Sequence, residues 1–154
     1  MDDSLRELYQ ELILEHGKRP RNLGRPLQCN RQALGQNPMC GDVVEVFLQV
    51  DAQGLVDGAW FEGKGCAISM ASASMMTSML KGRNIEEAEK LFHYLQYRCT
   101  HDGEGEHDCQ LEEDDAQRID ALSGVRQFPM RVKCATLAWH AMAKALKDIA
   151  PQDE

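Results

Sequence analysis

The stretch Asn37-Pro38-Met39-Cys40-Gly41-Asp42 places a thiol and a carboxylate on either side of a glycine, directly before the first clear strand of the chain. Residues 42–51 are rich in Val, Phe and Leu, which favour extended backbone. Two further cysteines, Cys66 and Cys134, each lie where a helix is predicted to begin. The sequence therefore predicts a fold in which Cys40, Asp42 and these two cysteines meet at one place.

The returning strand of a hairpin is predicted at 55–62, after a turn at Ala52-Gln53-Gly54. Because an isolated hairpin is only marginally stable, it must pack against helices. Residues 29–36 are ambiguous and leave room for one more short strand. The tripeptide Gly63-Lys64-Gly65 is expected to be a flexible approach to Cys66, since glycine tolerates many backbone conformations.

Helical periodicity marks the rest of the chain. It predicts a first helix that ends near Gly17 and four later helices, at 67–81, after a cap at Asn84, at 116–122, and from 131 to 149 behind Pro129. The first of these later helices is rich in methionine, which we expect to fill the core. This order of elements predicts an α+β fold, a small antiparallel sheet of about three strands packed by four to five helices.

Acidic residues are concentrated in one segment of the chain. Residues 99–117 include eight acidic residues and no Lys or Arg, whereas the rest of the chain carries as many acidic as basic residues. The length of 154 residues suits one domain, 1–154, in which this segment is an acidic insert at about 99–117. The net charge of -8 argues against a general nucleic-acid binder.

The sequence also bears on location and redox state. No run of about 18 apolar residues is present, so we expect no membrane-spanning segment. The start, Met1-Asp2-Asp3-Ser4, lacks the basic flank and apolar run of a signal peptide. We therefore expect a cytoplasmic protein whose six cysteines are reduced. In such a chain, clustered cysteines indicate a metal site or reactive thiols rather than a disulfide framework.

The four converging residues form a ligand set typical of zinc or iron, which bind thiolates in tetrahedral sites. Cys40, Cys66 and Cys134 supply three thiolates, and Asp42 supplies a carboxylate, a weaker ligand that favours exchange over a sealed site. A helix start at Cys66 and at Cys134, with Lys133 alongside the latter, favours the thiolate form. Two alternatives stay open: an inert structural zinc, and cysteines that are separate small core residues.

The acidic segment holds a second set of potential ligands, Cys99, His101, His107 and Cys109. Two cysteines with two histidines is a familiar zinc set, but this spacing fits no standard finger, and the nearby acids favour a solvated loop. Their role stays open. Cys29 is expected to be an ordinary thiol. His16, at the end of the first helix, is expected to be an imidazolium that faces the last carbonyls.

Four short motifs run through the chain: H-G-K-R-P-R-N-L-G at 16–24, N-P-M-C-G-D at 37–42, G-K-G-C-A-I-S-M-A-S-A-S-M-M at 63–76 and R-V-K-C-A-T-L-A-W at 131–139. In these motifs the chain resembles the IscU/NifU-N family of iron–sulfur cluster assembly proteins, and most closely its SufU-type branch. The resemblance implies the SufE/NifU-like fold, a small antiparallel sheet packed by helices. It also implies that the metal ligands are Cys40, Asp42, Cys66 and Cys134.

By this resemblance, the protein receives sulfur as persulfide from a cysteine desulfurase, a SufS-like pyridoxal phosphate enzyme, and serves downstream iron–sulfur acceptor proteins. IscU-type chains have a histidine where this chain has Lys133, and the spacer between Cys66 and Cys134 is long, as in the SufU type. Both features favour a zinc-dependent sulfur acceptor, a sulfurtransferase whose catalytic thiol is Cys40. The open alternatives are a scaffold that holds iron or a transient [2Fe–2S] cluster on the same residues, and an inert zinc module.

Overall fold

The computed structural model describes residues 3–39, 41–101 and 111–147. Helix α1 (Asp3–Lys18) precedes three strands, β1 (Arg31–Asn37), β2 (Asp42–Val50) and β3 (Val56–Lys64), and four helices follow, α2 (Ala67–Leu80), α3 (Ile85–Thr100), α4 (Glu113–Ser123) and α5 (Pro129–Lys147). The strands form one antiparallel sheet in the order β1-β2-β3. This is the predicted α+β arrangement. Within the described ranges, no helix has the length and apolar character needed to cross a membrane.

Side chains of the central strand β2 alternate between a face of the sheet that is covered by helices and an outer face. Val44, Val46 and Leu48 alternate along β2 and are fully buried in the core shared with the helices. Phe47 points the other way, and the Arg25 guanidinium covers its ring at 4.5 Å from the centroid. The loop after α1 therefore closes the outer face, where a bare aromatic ring would otherwise lie in water.

Helix α2 lies at the centre of the molecule and is buried almost all round, which explains its Ala, Ser and Met composition. Met75 and Met76 are fully buried in the core, as predicted. Ser72 ties α2 to α5, because its hydroxyl donates to the Ala135 carbonyl at 2.5 Å and accepts the indole N–H of Trp139 at 3.0 Å. These bonds satisfy buried polar groups and fix how the two helices are aligned.

Several boundaries differ from the predictions. The stretch 29–36, which left room for a short strand, contributes all but the last residue of β1, and all seven residues of that strand pair with β2. Gly63 and Lys64 are the last residues of β3 rather than a flexible approach, since they pair with β2 as well. Helix α5 begins at Pro129 instead of after it, which suits proline because the first helical residue needs no N–H partner. The cap predicted at Asn84 is present, and its side chain accepts from Glu87 N–H at 2.7 Å.

The ends of the predicted acidic insert are helical. Helix α3 continues through Thr100, and α4 begins at Glu113, three residues before the predicted start at 116. Asp115 accounts for part of this order, because its carboxylate pairs with Arg83 at 3.0 Å and with Arg118 at 2.7 Å. Residues 102–110 lie outside the described residues, and the insert as a unit stays a prediction.

The expectation for His16 is wrong. Its side chain is 3 % exposed and turned into the protein, where Nδ1 lies 2.7 Å from Ser74 Oγ. Burial lowers the pKa of His16 to about 4, with a smaller contribution from the Arg21 guanidinium. His16 is therefore a neutral imidazole that joins α1 to α2, because α1 packs against α2 at this point instead of ending in solvent.

Candidate metal centre

The turn between β1 and β2 carries the sequence Asn37 to Asp42. These two residues lie opposite each other as the last pair of the ladder, so residues 38–41 make the connection. Gly41 N–H donates to the Asn37 carbonyl at 2.9 Å, and its φ of +74° is one that residues with a side chain rarely adopt. Cys40, the predicted catalytic thiol and ligand, lies outside the described residues. Asp42, two residues on, opens β2.

A hydrogen bond joins Asp42, at the start of β2, to Cys66, at the start of α2. Asp42 is 2 % exposed, and its Oδ1 accepts the backbone N–H of Cys66 at 3.1 Å. Cys66 is the N-cap residue of α2, as predicted, and its Sγ lies 3.8 Å from Asp42 Oδ2. The contact exists because the start of β2 lies beside the end of β3: Val43 pairs with Lys64, and the chain then turns into α2.

Cys134 completes the group from α5. Its expected position at a helix start is wrong: α5 begins five residues earlier, at Pro129, so Cys134 lies in the second turn. Its Sγ lies 3.7 Å from the carbonyl of Met130, which is one helical turn earlier in α5. The helix-dipole argument therefore holds for Cys66 only. What places Cys134 is the α2–α5 contact, where Ser72 binds the carbonyl of the next residue, Ala135.

The ligand atoms of Asp42, Cys66 and Cys134 all lie within 4.8 Å of one another. Tetrahedral zinc with bonds of about 2.3 Å to sulfur and 2.0 Å to oxygen would separate sulfur from oxygen by about 3.5 Å. The observed 3.8 Å between Cys66 Sγ and Asp42 Oδ2 is close to that spacing. Two thiols with one carboxylate are also a chemically suitable donor set, so the residues fit a zinc or iron ion.

The surroundings of Cys66 favour its thiolate. Burial is the largest influence and raises the pKa of Cys66, but hydrogen bonds from the backbone N–H and the side chain of Ser69, and then from Cys134, outweigh it, so the net pKa is lowered. The nearby Asp42 carboxylate acts in the opposite direction, since like charges repel. The balance leaves Cys66 ready to act as a ligand, because the thiolate is the form that binds metal.

Sequence reasoning missed two residues that shape this site. Ser69 donates a short hydrogen bond from its hydroxyl to Asp42 Oδ2, and its Oγ lies 3.6 Å from Cys66 Sγ. Gly65 passes so close that a Cβ there would lie 2.6 Å from Asp42 Oδ1. A signal for Ser69 was present, since it follows Cys66 by three residues on a helix and must share its side. The contact of Gly65 had no such signal, because it depends on the register of two strands.

The second potential ligand set is not assembled among the described residues. Cys99 is fully buried in the core, with its Sγ 3.9 Å from the Leu122 carbonyl, and burial raises its pKa to about 12. His101 is exposed and stacks on Tyr97 at 4.2 Å between ring centroids. His107 and Cys109 lie outside the described residues. Cys29 is half-buried, and desolvation raises its pKa, in keeping with an ordinary thiol.

The fold and the site together define a class of protein: a small α+β domain that brings two thiols and a carboxylate from β2, α2 and α5 to one point. The chain belongs to the family described as the NifU-like N terminal domain, whose model matches residues 8–135. The family predicted from the four motifs is therefore confirmed.

Individual relatives agree with the family match. The chain is 42% identical over 146 residues to the zinc-dependent sulfurtransferase SufU of Bacillus subtilis, with 93% of this chain and 92% of the relative covered. It is 38% identical over 147 residues to the iron–sulfur cluster assembly scaffold protein IscU of Streptococcus pyogenes, covering 93% and 85%. A crystal structure from Fervidobacterium islandicum, provisionally described as a cluster assembly scaffold for the SUF system, matches with TM-score 0.77 and 28% identity, covering 92% and 98%.

Proposed function

We propose that this protein accepts persulfide sulfur for iron–sulfur cluster assembly, with Cys40 as the accepting thiol and with zinc bound by Cys40, Asp42, Cys66 and Cys134. The observation that carries the proposal is the meeting of Asp42, Cys66 and Cys134 within 4.8 Å, on three separate elements. Cys40 is two residues from Asp42 in the chain and is the remaining cysteine of the motif. The similarity to a relative named as a zinc-dependent sulfurtransferase supports the same function.

Bound zinc would keep the cysteines deprotonated and hold them at one point. The sulfur transfer itself needs only a thiolate of this chain. The Cys40 thiolate attacks the outer sulfur of a persulfide on the donor, a new S–S bond forms on Cys40, and the S–S bond of the donor breaks. The electron pair of the broken bond leaves with the donor sulfur, which becomes a thiolate, so no external oxidant or reductant is required.

Cys40 is better suited to this step than the other two thiols. It lies in a short connection next to Gly41, whereas Cys66 caps α2 and Cys134 lies in the second turn of a well-packed helix. Cys134 is 4 % exposed, so a donor persulfide would reach it only after local opening. The partner implied by this chemistry is a sulfur donor, which we propose to be a SufS-like cysteine desulfurase, and the sulfur would pass on to downstream iron–sulfur acceptor proteins.

A scaffold function on the same residues is the second candidate, and the similarity to IscU relatives favours it. In that case iron and sulfide would be the cargo, assembled as a [2Fe–2S] cluster on the ligand group. Lys133 argues for the acceptor function, because its ammonium offers no lone pair to a metal, unlike the histidine of the IscU pattern.

The deciding experiment follows sulfur to an individual cysteine. The purified zinc-loaded protein is incubated with a cysteine desulfurase and cysteine without reductant, and peptide mass spectrometry locates the added sulfur. We expect it on Cys40 in the wild type, and we expect Cys40→Ser to stay folded, to gain no sulfur and to stop stimulating the desulfurase. Cys29→Ser is the matched control, because Cys29 is half-buried outside the ligand group and its loss should leave transfer unchanged.

Other outcomes assign the other functions. Sulfur found only on Cys134, together with visible absorbance of a [2Fe–2S] cluster after iron is added, would favour the scaffold. A protein that holds one zinc ion yet gains no sulfur on any cysteine would be a module with an inert zinc.

A further inference from the structure

Ser69 is a buried hydroxyl at the site that is not among the proposed ligands. It is 1% exposed and lies in the first turn of α2, three residues after Cys66. Polar groups are buried at a cost unless they are hydrogen-bonded, so the Ser69 hydroxyl needs a partner, as the other buried hydroxyls of α2 do. The Ser69 hydroxyl donates to the carboxylate of Asp42, and its Oγ also lies 3.6 Å from Cys66 Sγ.

The two oxygens of that carboxylate are bound by different donors. Oδ1 accepts the backbone N–H of Cys66 at 3.1 Å, and Oδ2 accepts the Ser69 hydroxyl. Oδ2 also lies 3.8 Å from Cys66 Sγ. A carboxylate oxygen has two lone pairs, so Oδ2 can accept from Ser69 and still offer one lone pair to a metal.

We infer that Ser69 is a positioning residue that fixes the carboxylate of Asp42 so that Oδ2 faces the thiols as a single-oxygen ligand. This role rests on the proposed function, because it assumes that Asp42 binds the ion. The Ser69 hydroxyl prevents the buried carboxylate from rotating about its χ2 bond, and the N–H of Cys66 holds the other oxygen. Hydrogen-bonded partners of ligands typically change metal affinity by about 10- to 100-fold when they are removed.

The test measures zinc affinity by competition with a chelator, in the whole protein under reducing conditions. We expect Ser69→Ala to lower the affinity about tenfold and Ser69→Thr, which keeps a hydroxyl, to restore most of it. Ser78→Ala is the matched control: it removes a half-buried hydroxyl of the same helix that donates to the Ser74 carbonyl at 3.3 Å, and it should leave the affinity unchanged.

A double-mutant cycle separates positioning from a general effect on folding. If Ser69 acts through Asp42, then Ser69→Ala should cause no further loss of affinity in the Asp42→Ala background. The visible spectrum of the cobalt-substituted protein gives a second readout, since its bands report the ligand geometry. We expect Ser69→Ala to shift these bands, and Ser78→Ala to leave them in place.

The inference is overturned if Ser69→Ala binds zinc with the wild-type affinity and cobalt spectrum. It is equally overturned if the loss caused by Ser69→Ala is as large in the Asp42→Ala background as in the wild type. Either result leaves the proposed function intact, because wild-type zinc binding is measured in the same series. A wild-type chain that binds no zinc overturns the proposed metal site, and the role of Ser69 with it.

Discussion

The buried imidazole of His16 predicts a specific dependence of stability on pH. Ser74 Oγ accepts the backbone N–H of Arg21 at 2.7 Å and lies 2.7 Å from Nδ1 of His16. In the neutral ring one nitrogen carries a proton and the other has a free lone pair, so Nδ1 and the Ser74 hydroxyl can form a hydrogen bond with either group as donor. Protonation of His16 places a charge in the core, where burial disfavours it most and the nearby Arg21 guanidinium disfavours it further.

The sign and the size follow from the two pKa values. Burial lowers the pKa of His16 from 6.5 in the unfolded chain to about 4 in the fold. A lowered pKa means that the stability contributed by neutral His16 is present in full above about 6.5 and is lost as pH falls towards 4. One pKa unit corresponds to about 1.4 kcal/mol, so between pH 8 and pH 5 the folded state should lose about 2 kcal/mol through this group.

The assay is urea unfolding of the metal-free, reduced protein at several pH values between 8 and 5, with the wild type compared with His16→Gln. The glutamine cannot titrate, so the variant should be less stable at pH 8 but should lose about 2 kcal/mol less on going to pH 5. His93→Gln, which removes an exposed imidazole from α3, should retain the wild-type dependence. Parallel loss of stability in the wild type and His16→Gln would refute the reasoning.

Three further predictions concern the site and the core. Asp42→Ala removes the weakest ligand, so in excess zinc the protein should keep a metal ion on its thiolates, measured by metal analysis, while sulfur turnover falls; complete loss of the metal would contradict an exchange role for Asp42. Gly65→Ala puts a Cβ 2.6 Å from Asp42 Oδ1, a buried and hydrogen-bonded atom that has little room to move. The free energy of unfolding should therefore drop by about 1–3 kcal/mol, and zinc affinity should fall with it. Unchanged denaturation and chelator titration curves would disprove this. Burial raises the pKa of Cys99 to about 12. Iodoacetamide at neutral pH should therefore label Cys29 in the native protein and Cys99 only after unfolding, as measured by peptide mapping. Labelling of Cys99 in the native protein would show that it is not in the core.

Agreement between sequence and structure is best where the signal is local. Strand β2 and the cap at Asn84 were predicted because neighbouring residues alone favour those conformations. The errors fall where a distant partner decides. The sequence around His16 is typical of an exposed helix end, but in the fold α2 packs against it. The sequence of β1 has weak strand propensity, and this segment is extended because it pairs with β2.

The sequence by itself determined the α+β class, the order of the elements and the chemical types of the candidate metal ligands, because strand propensity, helical periodicity and metal-binding side chains are properties of residues and their close neighbours. The tertiary structure decided which of those groups meet. Asp42, Cys66 and Cys134 are far apart in the chain and come within 4.8 Å only through the β2–β3 register and the Ser72 contact between α2 and α5. The same packing put Cys99 in the core and brought Ser69 onto the carboxylate. Distances between groups on different elements depend on long-range packing, which no local pattern encodes.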